Sequence, residues 1–119
     1  MYLISLHLGL IVYLYYFKTS LSKQTFQFML HCRNYVVQYI IEMEIPSASS
    51  KLHSQFKGKY VHLSTQKFSS HVVEKCLMHI AESRSRIVQE LLSCPHFERL
   101  LPDPYANYVV QRALGVTKV

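Results

Sequence analysis

The feature that most constrains this chain is a five-residue motif that returns at an even spacing. "NYVVQ" stands at Asn34–Gln38 and again at Asn107–Gln111, with "SHVVE" between them at Ser70–Glu74. The three copies begin 36 and 37 residues apart. Repeats of this length are typical of stacked helical units, in which each unit buries its apolar face against its neighbours. The spacing therefore predicts a helical repeat array before any single residue is considered.

The similarity between units extends beyond the motif. A shift of 37 residues aligns "YVHLSTQKFSSHVVEKCL" (Tyr60–Leu77) with "FERLLPDPYANYVVQRAL" (Phe97–Leu114), so that apolar positions coincide along both segments. Upstream of Asn34 the match decays. The predicted units cover about 23–57, 58–93 and 94–119, and we call them the first, second and third unit.

Apolar residues at helical spacing, without internal Gly or Pro, predict the helices of each unit. A polar residue, Ser70 or Asn107, is expected to mark the start of the helix that carries the motif. "IPSAS", "FKGKY" and "LPDPY" are expected to be connectors. The predicted helices are Asn34–Met43, Ser47–Phe56, Ser70–Ala81, Arg84–Leu92 and Asn107–Leu114, with short apolar turns at Tyr60–Ser64 and Phe97–Leu101. No strand pattern is found, so the predicted architecture is an all-α solenoid of three-helix repeats.

A helical wheel separates the five motif positions into two sets. At about 100° per residue, positions one, two and five lie at about 0°, 100° and 40°, whereas the two valines lie at about 200° and 300°. We call positions one, two and five the motif face. Val72 and Val73, like their equivalents in the other units, are expected to pack into the stack, while the motif face is expected to be exposed.

The residue types of the motif face suit an unstacked nucleic-acid base. Tyr and His offer flat rings, Asn with Gln offers paired amide donors and acceptors, and Ser70 with Glu74 offers a hydroxyl and a carboxylate. A ring beside two hydrogen-bonding groups can stack on a base and bond to its edge. The amide pair can match uracil, and the carboxylate suits the two adjacent N–H donors of guanine. Because phosphates repel an acid, Glu74 is expected to accept hydrogen bonds from a base.

At these residues the chain resembles the Pumilio (PUF) family of RNA-binding repeats. In that family "NYVxQ" units recognise uracil and "SxVVE" units recognise guanine, and the order here is that of the sixth to eighth repeats, most similar to plant homologues. The resemblance covers about Phe26 to Thr117. It implies a truncated, partial Pumilio domain over 23–119, folded as a right-handed, armadillo-like superhelix.

The resemblance also implies a function and assigns site residues. It implies binding of single-stranded messenger RNA in 3′ untranslated regions, at a 5′-UGU-3′ core, with regulation of translation and stability in the cytoplasm. It implies no catalysis and no cofactor, and it leaves protein co-regulators as further partners. The residues implied to contact base edges are Asn34, Gln38, Ser70, Glu74, Asn107 and Gln111, and those implied to stack are Tyr35, His71 and Tyr108.

Composition agrees with this assignment without requiring it. The net charge is +6 at pH 7 and the pI is about 9.3, which permits a polyanionic partner. The basic residues Lys51, Lys57, Lys59, Lys67, Lys75 and Arg112 are expected to be a solvated surface, some of which lines a phosphate track. Three cysteines at wide spacing indicate free thiols in a reducing compartment.

Residues 1–22 do not match the repeats. Met1–Phe17 carries no charged side chain, and three interpretations stay open: a buried apolar N-terminal helix, a membrane anchor or signal sequence, and a segment foreign to the ancestral domain. A spanning helix usually needs about 20 apolar residues, and this run is shorter and contains His7 and Gly9. Contact with a membrane through residues 1–17 is therefore the less favoured interpretation.

Two other functional classes were compared with RNA binding. A helical-repeat scaffold for protein partners would use the same surface, but it gives no reason to pair Ser with Glu where neighbouring units pair Asn with Gln. The scattered Cys76, His79, Cys94 and His96 do not have the spacing of a zinc site, and the sequence contains no P-loop, nucleophile elbow or metalloprotease motif. We therefore expect neither a metal nor an active site.

Overall fold

A computed structural model describes residues 34–117 of the 119-residue chain. Within that part the chain forms helices and no strand, which confirms the predicted all-α class. In chain order the helices are α1 (Asn34–Glu42), α2 (Pro46–Phe56), α3 (Tyr60–Ser64), α4 (Ser69–His79), α5 (Ala81–Leu92), α6 (Phe97–Leu100) and α7 (Ala106–Val116). The two segments predicted as apolar turns are thus short helices, α3 and α6, and α5 begins three residues earlier than predicted.

The helix starts differ from the prediction in a way that has a local cause. Ser70 and Asn107 do not cap their helices, because the N-cap residues are Phe68 and Tyr105 and neither makes a side-chain capping bond. Asp103 supplies the missing acceptor for α7. Its Oδ1 accepts hydrogen bonds from the backbone N–H of Tyr105 at 2.9 Å and of Ala106 at 2.8 Å. The side chain that caps α7 thus lies four residues before Asn107, the predicted start of this helix.

The motif-bearing helices lie side by side. α4 packs against α1 on one side and against α7 on the other, while α5 packs against α3, α4 and α7. Tyr60, Val72, Val73 and Ile87 are completely buried in the core that these helices share. Each motif-bearing helix is therefore held by contacts with the next unit, as a repeat array requires.

A buried polar network joins the first and second units. His53 on α2 lies with its Nδ1 2.8 Å from the Tyr60 hydroxyl and 3.0 Å from Ser83 Oγ. The Tyr60 hydroxyl donates to Ser83 Oγ at 2.8 Å. Both Tyr60 and Ser83 are fully buried, so each polar atom depends on the others for its hydrogen bonds.

The start of α3 is held by a carboxylate from α5. Glu90 accepts hydrogen bonds from the backbone N–H of Gly58 at 2.7 Å and of Tyr60 at 3.1 Å. Gly58 has a φ of 86°, a left-handed conformation that favours glycine. Arg86 donates to the same carboxylate at 2.8 Å. The turn between α2 and α3 is thereby fixed against the third helix of its own unit.

An apolar groove of about 260 Å³ lies between α5, α6 and α7. It is lined by Val88, Leu91, Leu92, Phe97, Val110, Ala113, Leu114 and Thr117. Leu92 and Leu114 at its border are 70% and 66% exposed. A shift of 37 residues relates Phe97 and Leu114 to Tyr60 and Leu77, which are completely buried beneath α5 in the second unit.

Several predictions concern residues outside the described range. The apolar helix proposed for Met1–Phe17, and the whole of residues 1–22, lie outside it. No helix within residues 34–117 is long and apolar enough to cross a membrane. The right-handed sense of the superhelix and the unit boundaries at about 23–57, 58–93 and 94–119 stay predictions.

Candidate nucleic-acid interface

The described valines of the three motifs are buried, as the helical wheel predicted. Val37, Val72, Val73 and Val109 are at most 1% exposed, and Val110 is 7% exposed. The motifs lie at the starts of α1, α4 and α7, and with these valines buried the second motif position is exposed in each of the three helices. The Val36 side chain is outside those that the structure describes.

The third motif presents its side chains to solvent. Tyr108 is 60% exposed, so its ring is available for stacking on a planar partner. Gln111 Nε2 donates to Asn107 Oδ1 at 3.3 Å. Asn107 Nδ2 donates to the backbone oxygen of Asp103 at 2.5 Å, which anchors this amide to the loop before α7. The two amides are therefore held next to each other, with hydrogen-bonding capacity left on both.

Ser70 departs from the prediction for the motif face. Its side chain was expected to be exposed, but the residue is only 3% exposed. α4 is flanked by α1 and α7, and a side chain as short as serine does not extend past its neighbours on such a helix. Its hydroxyl donates to the backbone oxygen of Lys67 at 3.4 Å, a long bond. The role of Ser70 at a base edge stays a prediction.

Glu74 lies between two basic side chains. Its Oε2 is 3.5 Å from His71 Nδ1 in the same motif, and its Oε1 is 3.7 Å from Arg112 Nε on α7. The Glu74 side chain is 19% exposed, whereas that of His71 is 61% exposed. From the residue types alone, Glu74 is predicted to accept hydrogen bonds from a base. In the structure, the Arg112 guanidinium and the His71 ring lie next to this carboxylate.

The first motif is described in part. Tyr35 is 42% exposed and resembles Tyr108 in that respect, and Gln38 is half-buried. The prediction for Asn34 concerns a side chain outside those that the structure describes. The uracil assigned to this unit stays a prediction, as do the bases assigned to the other two.

A groove of about 480 Å³ runs between α4 and α7 at the motif face. It is lined by Glu74, Tyr108, Gln111, Arg112, Gly115 and Val116. Three of these were predicted from the sequence as contacts for bases. Arg112 was considered only as a general basic residue, although its place directly after the motif was a signal that it lies beside the preceding unit. The groove thus brings three residues predicted to contact bases together with the basic side chain of Arg112.

The cysteines and histidines considered for metal binding do not converge within residues 34–117, where no three His, Cys, Asp or Glu side chains form a candidate site. Cys76 is completely buried in the core, and this burial raises the pKa of its thiol. His79 instead contacts Glu44, with 3.3 Å between Nδ1 and Oε1. Among the described residues, these groups serve packing and ion pairing.

Comparison with known proteins places the repeats in a family. A family profile described as "Pumilio-family RNA binding repeat" matches residues 59–92 and 96–116. The chain is 62% identical over 85 residues to the protein named "Putative pumilio homolog 7, chloroplastic" of Arabidopsis thaliana. The aligned region covers 71% of this chain and 13% of that protein. "Pumilio homolog 9" of the same plant is 60% identical over 85 residues, covering 71% and 15%.

A more distant relative shows that the similarity is not confined to plants. A Pumilio domain-containing protein of Schizosaccharomyces pombe is 44% identical over 87 residues, covering 72% of this chain and 13% of that protein. The chain spans only 13% to 15% of the length of these three relatives. With its helices stacked at the predicted spacing and these matches over most of its length, the chain is a PUF-repeat protein of the plant-type Pumilio family.

Proposed function

We propose that this chain binds single-stranded RNA along the motif face of α1, α4 and α7, and that it acts in post-transcriptional regulation of messenger RNA without catalysis. The observation that carries the proposal is the contrast between the two sets of motif letters. Between units the buried valines stay the same, while the motif face changes from Asn, Tyr and Gln to Ser, His and Glu. A packing requirement explains the constant letters, whereas a change of the bound base explains the variable ones.

The proposed core is 5′-UGU-3′, and its proposed location is the 3′ untranslated region of messenger RNA. Asn107 with Gln111 contacts the first uracil, Ser70 with Glu74 contacts guanine, and Asn34 with Gln38 contacts the second uracil. Tyr108, His71 and Tyr35 stack on these bases, with each stacked base contributing about 1–3 kcal/mol. Exposure of Tyr108 and Tyr35 and the open groove beside Glu74 support this arrangement.

Fluorescence anisotropy with short oligonucleotides tests the proposal. We expect a UGU-containing oligonucleotide to bind more tightly than UAU or UCU controls of equal length. A hydrogen bond to a charged group contributes about 1.5–3 kcal/mol, so the preference should be about tenfold to a hundredfold. Equal affinities would refute base recognition and favour the alternative of a protein-interaction scaffold on the same surface.

Two reciprocal variants assign the preference to residues. Exchange of Ser70→Asn together with Glu74→Gln should move the preference at the central base from guanine to uracil. Exchange of Asn107→Ser together with Gln111→Glu should move the first base from uracil to guanine and leave the central base unchanged. If either pair of changes weakens binding without moving the preferred base, the role proposed for those two residues is wrong.

Cellular context is part of the same proposal. We propose that the protein acts in the cytoplasm with messenger RNA and protein co-regulators, although two Arabidopsis thaliana relatives carry the word chloroplastic in their names. A fluorescent fusion with and without residues 1–22 tests this placement. Loss of a membrane or organelle signal on removal of that segment would contradict a purely cytoplasmic location.

A further inference from the structure

Two ion pairs join successive motif-bearing helices, and their cations occupy equivalent positions. Lys75 Nζ on α4 lies 2.6 Å from Glu42 Oε1 on α1. Arg112 Nε on α7 lies 3.7 Å from Glu74 Oε1 on α4. Lys75 and Arg112 are 37 residues apart and each directly follows the fifth motif residue. Each cation therefore reaches back to an acid on the preceding unit.

The acids that receive these cations are not equivalent. Glu42 is four residues beyond Gln38, one helical turn after the fifth motif position. The residue at the corresponding place in the second unit is Met78, which is 40% exposed and carries no charge. With no carboxylate at that place, Arg112 pairs with Glu74, which is the fifth motif residue itself. In the second unit, therefore, Met78 stands where the first unit has Glu42, and the cation of the next unit contacts the motif-face carboxylate of Glu74 instead.

We propose that Arg112 is a positioning residue that determines specificity at the central base by fixing Glu74. This inference rests on the proposed function, since it concerns how Glu74 recognises guanine. Two parallel hydrogen bonds to guanine require both carboxylate oxygens to lie in one defined plane. Arg112 at Oε1 and His71 at Oε2 restrict the rotation of a side chain that is already only 19% exposed. Each oxygen keeps a further lone pair for a base donor.

The positive charge of Arg112 has a second effect on the same site. A carboxylate at an RNA-binding surface is repelled by the phosphate backbone, and a guanidinium within 4 Å offsets that repulsion. A plain phosphate contact by Arg112 would instead strengthen binding of every sequence alike. Discrimination between bases, and not affinity alone, is therefore the property that separates the two roles.

Arg112→Met tests the inference, with Lys75→Met as the matched control. Each variant removes one cation that pairs across units, but Glu42, the partner of Lys75, is not a base-edge residue. For Arg112→Met we expect the ratio of UGU to UAU affinity to fall about two- to fivefold, the range for a partly exposed ion pair. For Lys75→Met we expect both affinities to fall together and the ratio to stay constant. An unchanged ratio in Arg112→Met would overturn the inference.

Met78→Glu supplies Arg112 with an alternative carboxylate at the place that Glu42 occupies in the first unit. We expect this change to lower the UGU to UAU ratio when Arg112 is present and to have no effect on it in Arg112→Met. Met78→Gln, which adds no charge, should leave the ratio unchanged. An equal effect of Met78→Glu in both backgrounds would mean that Arg112 does not mediate it.

A measurement without RNA separates this inference from the proposed function. The shifts in denaturation midpoint of Arg112→Met and Glu74→Gln should be non-additive in the double variant, because the two side chains interact. Additive shifts overturn the inference whatever the RNA result. A different result is that the variants show coupling while the unsubstituted protein shows no preference for UGU. In that case the contact between Arg112 and Glu74 stands, but the proposed function fails, and the specificity role of Arg112 fails with it.

Discussion

The buried network of His53, Tyr60 and Ser83 gives a prediction whose magnitude follows from its geometry. Tyr60→Phe removes a hydroxyl that bonds to His53 Nδ1 and to Ser83 Oγ, at 2.8 Å in each case. The two remaining groups lie 3.0 Å apart, so they bond to each other and neither is left without a partner. The cost is then the net contribution of the lost bonds, about 1–2 kcal/mol, and not the larger penalty of an orphaned buried group.

The phenylalanine ring should fit without rearrangement, because Phe97 occupies the corresponding position 37 residues later. We expect the thermal midpoint of Tyr60→Phe to fall by about 4–16 °C, using the entropy of unfolding of a domain of this size. Tyr108→Phe is the matched control, since it removes a hydroxyl from a tyrosine that is 60% exposed. Its midpoint should change by less than that of Tyr60→Phe.

A double-mutant cycle shows whether the network acts as a unit. Ser83→Ala leaves the Tyr60 hydroxyl paired with His53, so its own cost should be moderate. The cycle of Tyr60→Phe and Ser83→Ala, measured by urea denaturation, should give a coupling of about 0.5–3 kcal/mol. The reasoning is refuted if the two effects add, or if Tyr60→Phe is as stable as the unsubstituted protein.

Three further predictions follow from described contacts and burial. Urea denaturation should show that Asp103→Ala lowers the free energy of unfolding by about 1 kcal/mol, because two backbone N–H groups lose their acceptor. Asp103→Asn keeps a side-chain oxygen as acceptor, so its free energy of unfolding should stay close to that of the unsubstituted protein. Burial raises the pKa of the Cys76 thiol, so iodoacetamide should label Cys94 before Cys76 in mass mapping, and equal labelling of these two cysteines would contradict the burial. Burial also raises the pKa of Tyr60, so the folded state favours the neutral phenol. Stability should therefore fall as pH rises above the ordinary value of 10.0, and fall less in Tyr60→Phe.

The sequence predicted the parts of the fold that repeat. An even spacing and apolar periodicity were enough to locate the five longer helices of the described range, and the constancy of the valines was enough to identify them as core residues. Val72 and Val109 are buried for the same reason, since each lies on the side of its helix that packs against neighbouring helices. Such features follow from the residue pattern within one unit and from the repetition of that pattern. A single sequence shows the pattern and its repetition directly.

The sequence did not predict the features that depend on how units meet. The burial of Ser70 follows from the flanking helices, and the contact of Arg112 with Glu74 joins residues 38 positions apart. The cap supplied by Asp103 was missed because the acceptor precedes the helix by more than one residue. A helical wheel gives the direction of each side chain around the axis of its own helix. These contacts depend instead on where a neighbouring helix lies, which the wheel does not contain.

The apolar groove between α5, α6 and α7 has a consequence for how such arrays change in length. Five of its lining residues lie 37 positions after residues that are buried in the second unit, namely Phe97, Val110, Ala113, Leu114 and Thr117 after Tyr60, Val73, Cys76, Leu77 and Ile80. A helix equivalent to α5 would fit this groove, and each further unit with the same first two helices would present a groove of the same kind. Growth by whole units therefore requires no redesign of the core. If the proposed function holds, the number of bases that such an array contacts can then evolve in single steps, each adding one unit.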